Sequence, residues 1–474
     1  MVSRDSLNPR LLNAEYAVRG TIVLRAQQLE EQGRKIIYCN IGNPQALKQR
    51  PLSFLRQLLS LMEYPELLNH PDTLKLYPAD IVARARSILA KHPHGTGAYS
   101  QSPGIPFIRQ AVADFISRRD GIPADREHVI LTDGASKGAQ AVLTALLRTP
   151  SDGFMIPVPQ YPLYSASLAL YGGTQIGYYL DEAAGWQLDD GILSESLAAA
   201  RGRGASPVGI VVINPGNPTG AVLSPENIRM IIGFARRHRL SIIADEVYQD
   251  NVYDPALHFH SFAGIMAEMG EREVSLFSLH SVSKGFLGEC GHRGGYIEFR
   301  NIPDDVLAEF VKLQSISLCA NIVGQLATYM MVAPPGPGDE SYAIYIRERD
   351  GVLSELKEKA EILGRGINAI EGMSVDIPRG AMYAFVRFEL PARESDDHVT
   401  GAMRTEALVE RDEAYCMALL EETGICVVPG SGFGQQPGTL HFRTTFLPPR
   451  DEIEQLVRKL KTFHERYVRA YAEA

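Results

Sequence analysis

The middle of the chain alternates short, almost continuously apolar runs with helical patterns. No other feature constrains the fold as much. HVILT (128–132) reads as a strand, and KGAQAVLTALL after it reads as a helix. GFMIPV, TQIGYYL, VGIVVIN, LSIIAD, EVSLFSL and GYIEF follow as further runs of β-branched and aromatic residues. Helical stretches such as PENIRMIIGFARRHR lie between several of them. Strands that are apolar on both faces need cover on both faces, and intervening helices supply it. The expected fold class is α/β, with a large domain on a mostly parallel sheet.

The Pro- and Gly-dense segment VAPPGPGDES (332–341) breaks any helix and marks a boundary. Beyond it, YAIYIRERDGVLSELKEKAEILGRGINAI reads as one long amphipathic helix, and AMYAFVRF as a strand. The polar stretch PARESDDHVTGAMRTEALVERDE is expected to be a surface insertion. The expected division is 1–92 as an N-terminal arm with part of a smaller α+β domain, 93–331 as the large domain, and 332–474 as the C-terminal part of the small domain.

The 474 residues carry a formal net charge of −9. That balance argues against a nucleic-acid footprint, which needs a basic face. No apolar run reaches the roughly 20 residues that cross a bilayer. The five cysteines are odd in number and none sits in a CxxC spacing. A reducing compartment is expected, and with no apolar leader in MVSRDSLNPRLLNAEYAVRG the expectation is a cytoplasmic enzyme. His258 and His260 alternate in a short extended run without further ligands at metal spacing, so no metal is expected. Trp186 is expected to pack on a surface strand, and Cys290 to be a packed thiol.

Four motifs lie at or just beyond strand ends, where open α/β sheets bind ligands. TDGAS (132–136) puts a glycine and a hydroxyl at a helix start, which suits either an anion or a simple N-cap. NPGNPTG (214–220) imposes a fixed turn, which either projects the Asn217 amide toward a ligand or serves as a rigid crossover. ADEVYQD (244–250) leaves Asp245 after an apolar strand, where a carboxylate needs a cationic partner or caps the next helix. HSVSKGFLGECGHRGGY (280–296) sets Lys284 among hydroxyls and glycines. A lysine withdrawn from solvent becomes a nucleophile for carbonyls, and Ser281 and Arg293 nearby suit a phosphate.

In this order the four motifs resemble the fold-type I enzymes that depend on pyridoxal 5′-phosphate (PLP), in the class I/II aminotransferase group. Longer strings are similar to the alanine aminotransferase pattern: NPRLLNAEYAVRG, GAYSQSPG, MIPVPQYPLYSASL, VINPGNPTG, ADEVYQDNVY, SKGFLGECGHRGGY and HFRTTFLPP. The resemblance runs from about Asn8 to about Pro449. It implies that Lys284 carries the cofactor as a Schiff base and that Asp245 pairs with the pyridine nitrogen. Asn217 and Tyr248 then bond the ring's phenolic oxygen, and Tyr161 stacks on the ring. Ala135, Ser136, Ser281 and Arg293 hold the phosphate. Tyr99 reaches the phosphate in the neighbouring subunit's site, which implies a homodimer with shared active sites. Arg443 grips the substrate α-carboxylate, with Gly42 and Asn217 beside it. Asn43 and Leu440 depart from the family pattern on the substrate side.

The implied activity is transamination, with amino acids and 2-oxo acids as partners. The foremost pair is L-alanine and 2-oxoglutarate. Glyoxylate, aromatic or branched-chain partners are the alternatives within enzymes, and a non-catalytic PLP-binding regulator is the alternative outside them.

Overall fold

The computed structural model describes residues 2–14, 16, 20–391 and 402–473. The strands in chain order are β1 (Ile37–Tyr38), β2 (Val129–Thr132), β3 (Asp152–Val158), β4 (Thr174–Tyr179), β5 (Ser206–Ile213), β6 (Ser241–Asp245) and β7 (Leu276–Ser281). They continue with β8 (Gly295–Arg300), β9 (Met373–Ser374), β10 (Tyr383–Phe388), β11 (Ile425–Cys426), β12 (Val428–Pro429) and β13 (His441–Thr445).

Seven strands form one sheet in the order β2-β8-β7-β6-β5-β3-β4. Only β8 runs against its neighbours; the other pairings are parallel. Both faces are covered, as the doubly apolar strands require. In β5, Ile210 and Val212 face a core shared with Leu193, Leu197, Ile231 and Phe234, from the helices Asp190–Gly202 and Pro225–His238. Val211 and Ile213 face the opposite core, shared with Val142, Leu168 and Phe310. The period of two along the strand thus divides one apolar run between two helix layers.

A third core joins the helices Ser53–Glu63, Ala79–Lys91, Pro106–Asp120 and Ile322–Val332 with Val129, Leu131 and Val282 of the sheet region. Residues 53–91 therefore share a core with the seven-stranded sheet. The fourth core draws on both ends of the chain. It contains Ile22, Ile37 and Cys39 together with residues of Tyr342–Asn368, β10, β11 and β13. There β1 pairs in parallel with β11, and β12-β13-β10-β9 form an antiparallel sheet.

Three local expectations meet a different outcome. Trp186 is on no strand: it sits in a turn at φ 64°, is 5 % exposed, and packs with Phe385, Val428 and Phe433. Of the stretch expected as a surface insertion, residues 392–401 lie outside the described residues. From Ala402 the chain belongs to a helix that runs to Thr423. Leu440 is buried in the fourth core and does not line the cavity described below.

Candidate active site

At the carboxyl ends of β2, β3, β5, β6 and β7 the loops surround a cavity of about 450 Å³. Gly42, Ala135, Ser136, Tyr161, Asn217, Asp245, Tyr248, Ser281, Lys284, Arg293 and Arg443 all line it. The seven-stranded sheet gathers most of them at its strand ends, while Gly42, which follows β1, and Arg443, in β13, come from the smaller sheets. Tyr99 is the exception. It is 76 % exposed and does not line this cavity.

Asp245 ends β6 and is buried. Burial raises its carboxyl to about 6, opposed by a 2.8 Å hydrogen bond donated by Tyr164 to Oδ2 and by the neighbouring charge of Lys284. Its other oxygen, Oδ1, is buried with no partner. Such an orphan acceptor is costly unless a ligand supplies the donor.

Lys284 follows β7, and its Nζ donates a 2.7 Å bond to the Gly42 carbonyl. Cys290 also lines the cavity, its thiol donating to the Ser283 carbonyl at 3.1 Å.

At one wall, Gly134 precedes the helix Ala135–Leu146 with φ 80° and ψ 166°, a conformation open essentially to glycine alone. A Cβ there would lie 2.6 Å from Nη2 of Arg293. Arg293 itself sits at φ 53° and is held by the carbonyls of Cys290 and Asp133, both at 3.1 Å. A guanidinium, the Ser136 and Ser281 hydroxyls and a helix N-terminus together make a cradle for an anion.

Arg443, in the middle of β13, is only 1 % exposed. Its Nη1 donates to Oδ1 of Asn217 at 3.3 Å, its Nη2 donates to the Asn40 carbonyl, and its Nε has no partner. Burial lowers its proton affinity, while the tyrosines around it, Tyr383 first, act in the opposite sense.

A family model described as Aminotransferase class I and II matches residues 68–460. The chain belongs to the class I and II aminotransferases. Over 98 % of its length it is 46 % identical to a probable mitochondrial alanine aminotransferase of Dictyostelium discoideum, covering 89 % of that protein. It is 45 % identical over 99 % of its length to glutamate–glyoxylate aminotransferase 2 of Arabidopsis thaliana, covering 97 % of it. Among solved structures, an alanine aminotransferase from Pyrococcus furiosus superimposes with a TM-score of 0.78 at 25 % identity, over 97 % of this chain and all of that one.

Aminotransferases of this class use PLP, and the cavity fits it. Asp245 Oδ1 is an orphaned acceptor for the pyridinium N–H. Lys284 supplies the amine, and the Gly134–Arg293 cradle suits the phosphate.

Two tyrosines that line the cavity of this aminotransferase were not among the residues expected from the sequence. Tyr16 shares a 2.5 Å hydroxyl–hydroxyl bond with Tyr161, which ties the N-terminal segment across the cavity. Tyr383, at the start of β10, accepts a long 3.4 Å bond from Tyr248. Burial opposes ionisation of the Tyr383 phenol, but the positive charges of Lys284 and Arg443 outweigh it and lower its pKa. Tyr16 stands in the quoted string NPRLLNAEYAVRG, so a signal for it was present. Tyr383 stands in a plain strand pattern and gave none. Among the described residues no cluster suits a metal ion, and no helix is long and apolar enough to cross a membrane.

Proposed function

We propose that this aminotransferase transfers the amino group of L-alanine to 2-oxoglutarate, giving pyruvate and L-glutamate. The observation that carries the chemistry is one cavity holding a lysine amine, a buried carboxylate with an open oxygen, and a buried arginine with an open Nε. Full-length likeness to the Dictyostelium enzyme supports alanine as the donor.

When bound, the cofactor supplies an electron sink for the bonds broken at the amino acid's Cα. The residues do the rest. Arg443 receives the α-carboxylate, with Asn217 beside it, and so fixes which Cα bond faces Lys284. The Lys284 Nζ would take the Cα proton and hand it back two atoms along, beyond the amino nitrogen. Asp245, ionised, would hold the ring nitrogen in its protonated form. Tyr248 would donate to the ring's phenolic oxygen, and Tyr161 would cover the ring face.

The working unit in this reading is a homodimer, in which the exposed Tyr99 serves the phosphate of the neighbouring chain's site. Amino acids and 2-oxo acids are its small-molecule partners. The compartment is proposed to be the cytoplasm. The free thiols of Cys39, Cys416 and Cys426 support a reducing environment, and cell fractionation tests the choice.

Single-turnover absorbance changes with a panel of amino acids test the substrate reading. L-Alanine is expected to react faster than L-aspartate or L-phenylalanine. An aromatic or acidic donor that clearly outruns it would move the chain to another subgroup. The Arabidopsis relative favours one second reading, L-glutamate with glyoxylate. An acceptor panel separates the two: glyoxylate outrunning both pyruvate and 2-oxoglutarate would select it.

A further inference from the structure

The register of β10 and β13 sets Tyr383 diagonally across from Arg443. Tyr383 faces Thr445, and Phe385 faces Arg443, so all four residues lie on one side of the sheet. Diagonal neighbours on one face are within reach for aromatic and long side chains. The next step along the strands uses the same diagonal. Phe385 stacks on His441 with ring centres 4.5 Å apart and planes 8° from parallel. At Arg443, the ring of Tyr383 lies 4.3 Å from the guanidinium carbon, and Phe433 supplies a second ring at 4.5 Å.

This guanidinium is buried, yet the partners of its N–H groups are neutral oxygens, with two aromatic rings against it. Cation–ring attraction grows when the cation is desolvated. The rings therefore stabilise the charge without consuming hydrogen-bonding capacity, and Nε remains open. The Tyr383 ring is itself held. Its hydroxyl packs so closely on Gly42 that a Cβ at Gly42 would lie 1.8 Å from it.

We propose that Tyr383 is the positioning residue of the carboxylate site, its ring holding the Arg443 guanidinium in the orientation that leaves an N–H edge for the substrate α-carboxylate. The inference rests on the reading of Arg443 as the carboxylate site. It adds a residue that acts through Arg443 and not on the reacting atoms. The ring carries the effect, so phenylalanine at this position substitutes for tyrosine and leucine does not.

The test is calorimetric binding of propionate, a carboxylate with no amino or oxo group, to the cofactor-loaded enzyme. Tyr383→Leu is expected to weaken propionate binding by about tenfold or more, the size of a desolvated cation–ring contact. Tyr383→Phe is expected to restore most of that loss. In turnover, the leucine variant is expected to raise KM for L-alanine far more than it lowers kcat. Propionate binding as in the wild type by Tyr383→Leu, or a loss in Tyr383→Phe equal to that in leucine, overturns the proposal. If the leucine variant does not fold, Phe433→Leu removes the second ring and is expected to give the same selective loss; unchanged binding there overturns it. Arg443→Lys separates the two levels. Unchanged propionate binding in that variant overturns the carboxylate site itself, whereas a loss there beside wild-type binding in Tyr383→Leu overturns only the role of Tyr383.

Discussion

Tyr164 donates a 2.8 Å hydrogen bond to Oδ2 of Asp245, and the opposite oxygen of that buried carboxylate has no partner. One oxygen is thus fixed by the protein and the other is left for a ligand. In the cofactor-free protein this costs stability, because burial raises the carboxyl to about 6. A carboxyl raised in the folded state contributes stability that is present below about pH 4 and is lost as pH rises through its folded value. Asp245→Asn is expected to stabilise the cofactor-free protein over wild type by up to roughly 3 kcal/mol at pH 8, with the difference vanishing near pH 4. Denaturant unfolding of both proteins at several pH values measures it. The same substitution is expected to weaken cofactor binding. A pH-independent difference in stability would contradict the assignment of that cost to Asp245.

Gly134 offers a test of the phosphate cradle. Alanine there is strained twice, by a backbone conformation costing roughly 1–3 kcal/mol and by a Cβ 2.6 Å from Nη2 of Arg293. Displacing that guanidinium removes charge-assisted bonds to the phosphate worth roughly 1.5–3 kcal/mol each. Gly134→Ala is expected to weaken cofactor affinity by about tenfold or more. Excess cofactor should recover much of the turnover. Equilibrium titration of the cofactor-free variant gives the affinity, and an unchanged value would remove Gly134 and Arg293 from the phosphate site.

Tyr99 and Lys284 test the shared site together. Tyr99→Asp puts a carboxylate beside the neighbour's phosphate, and like-charge repulsion is expected to cripple that site. Lys284→Ala inactivates the site in its own chain. A mixed dimer then has both defects in one site and none in the other. Random reassortment of equal amounts makes half the dimers mixed, so about a quarter of wild-type activity is expected from two inactive parents. Co-expression with two different tags shows that exchange occurred. No recovery after proven exchange would place Tyr99 outside the neighbour's site.

The parallel sheet and most of the cavity were legible in the sequence for a physical reason. Strand-end loops carry ligand residues in short local strings, and apolar runs alternate with helices on a scale that a single window captures. What depends on contact between distant segments was not legible. Tyr164 lies within the string PQYPLYSA, yet its bond to Asp245 spans 81 residues and leaves no local trace. The place of Tyr383 follows from the β10–β13 register, which pairs strands about 60 residues apart. Leu440 departs from the family pattern on the expected substrate side, but the fold takes it elsewhere. It is an odd number of residues from Arg443, and the strand pleat turns it into the core instead. Trp186 is expected on a surface strand, and nothing in its local string marks the turn it occupies. A left-handed turn places it over Phe385 and Phe433.

The assignment of Lys284 as the cofactor's attachment point is the central claim, and borohydride reduction of the loaded enzyme tests it most directly. Reduction fixes the cofactor to whichever amine carries it, and peptide mass mapping then identifies that residue. The expected result is a single stoichiometric label on the peptide containing Lys284, absent from Lys284→Ala, which should fold but not transaminate. A label on a different lysine in the active wild-type enzyme, or wild-type turnover in Lys284→Ala, would contradict it.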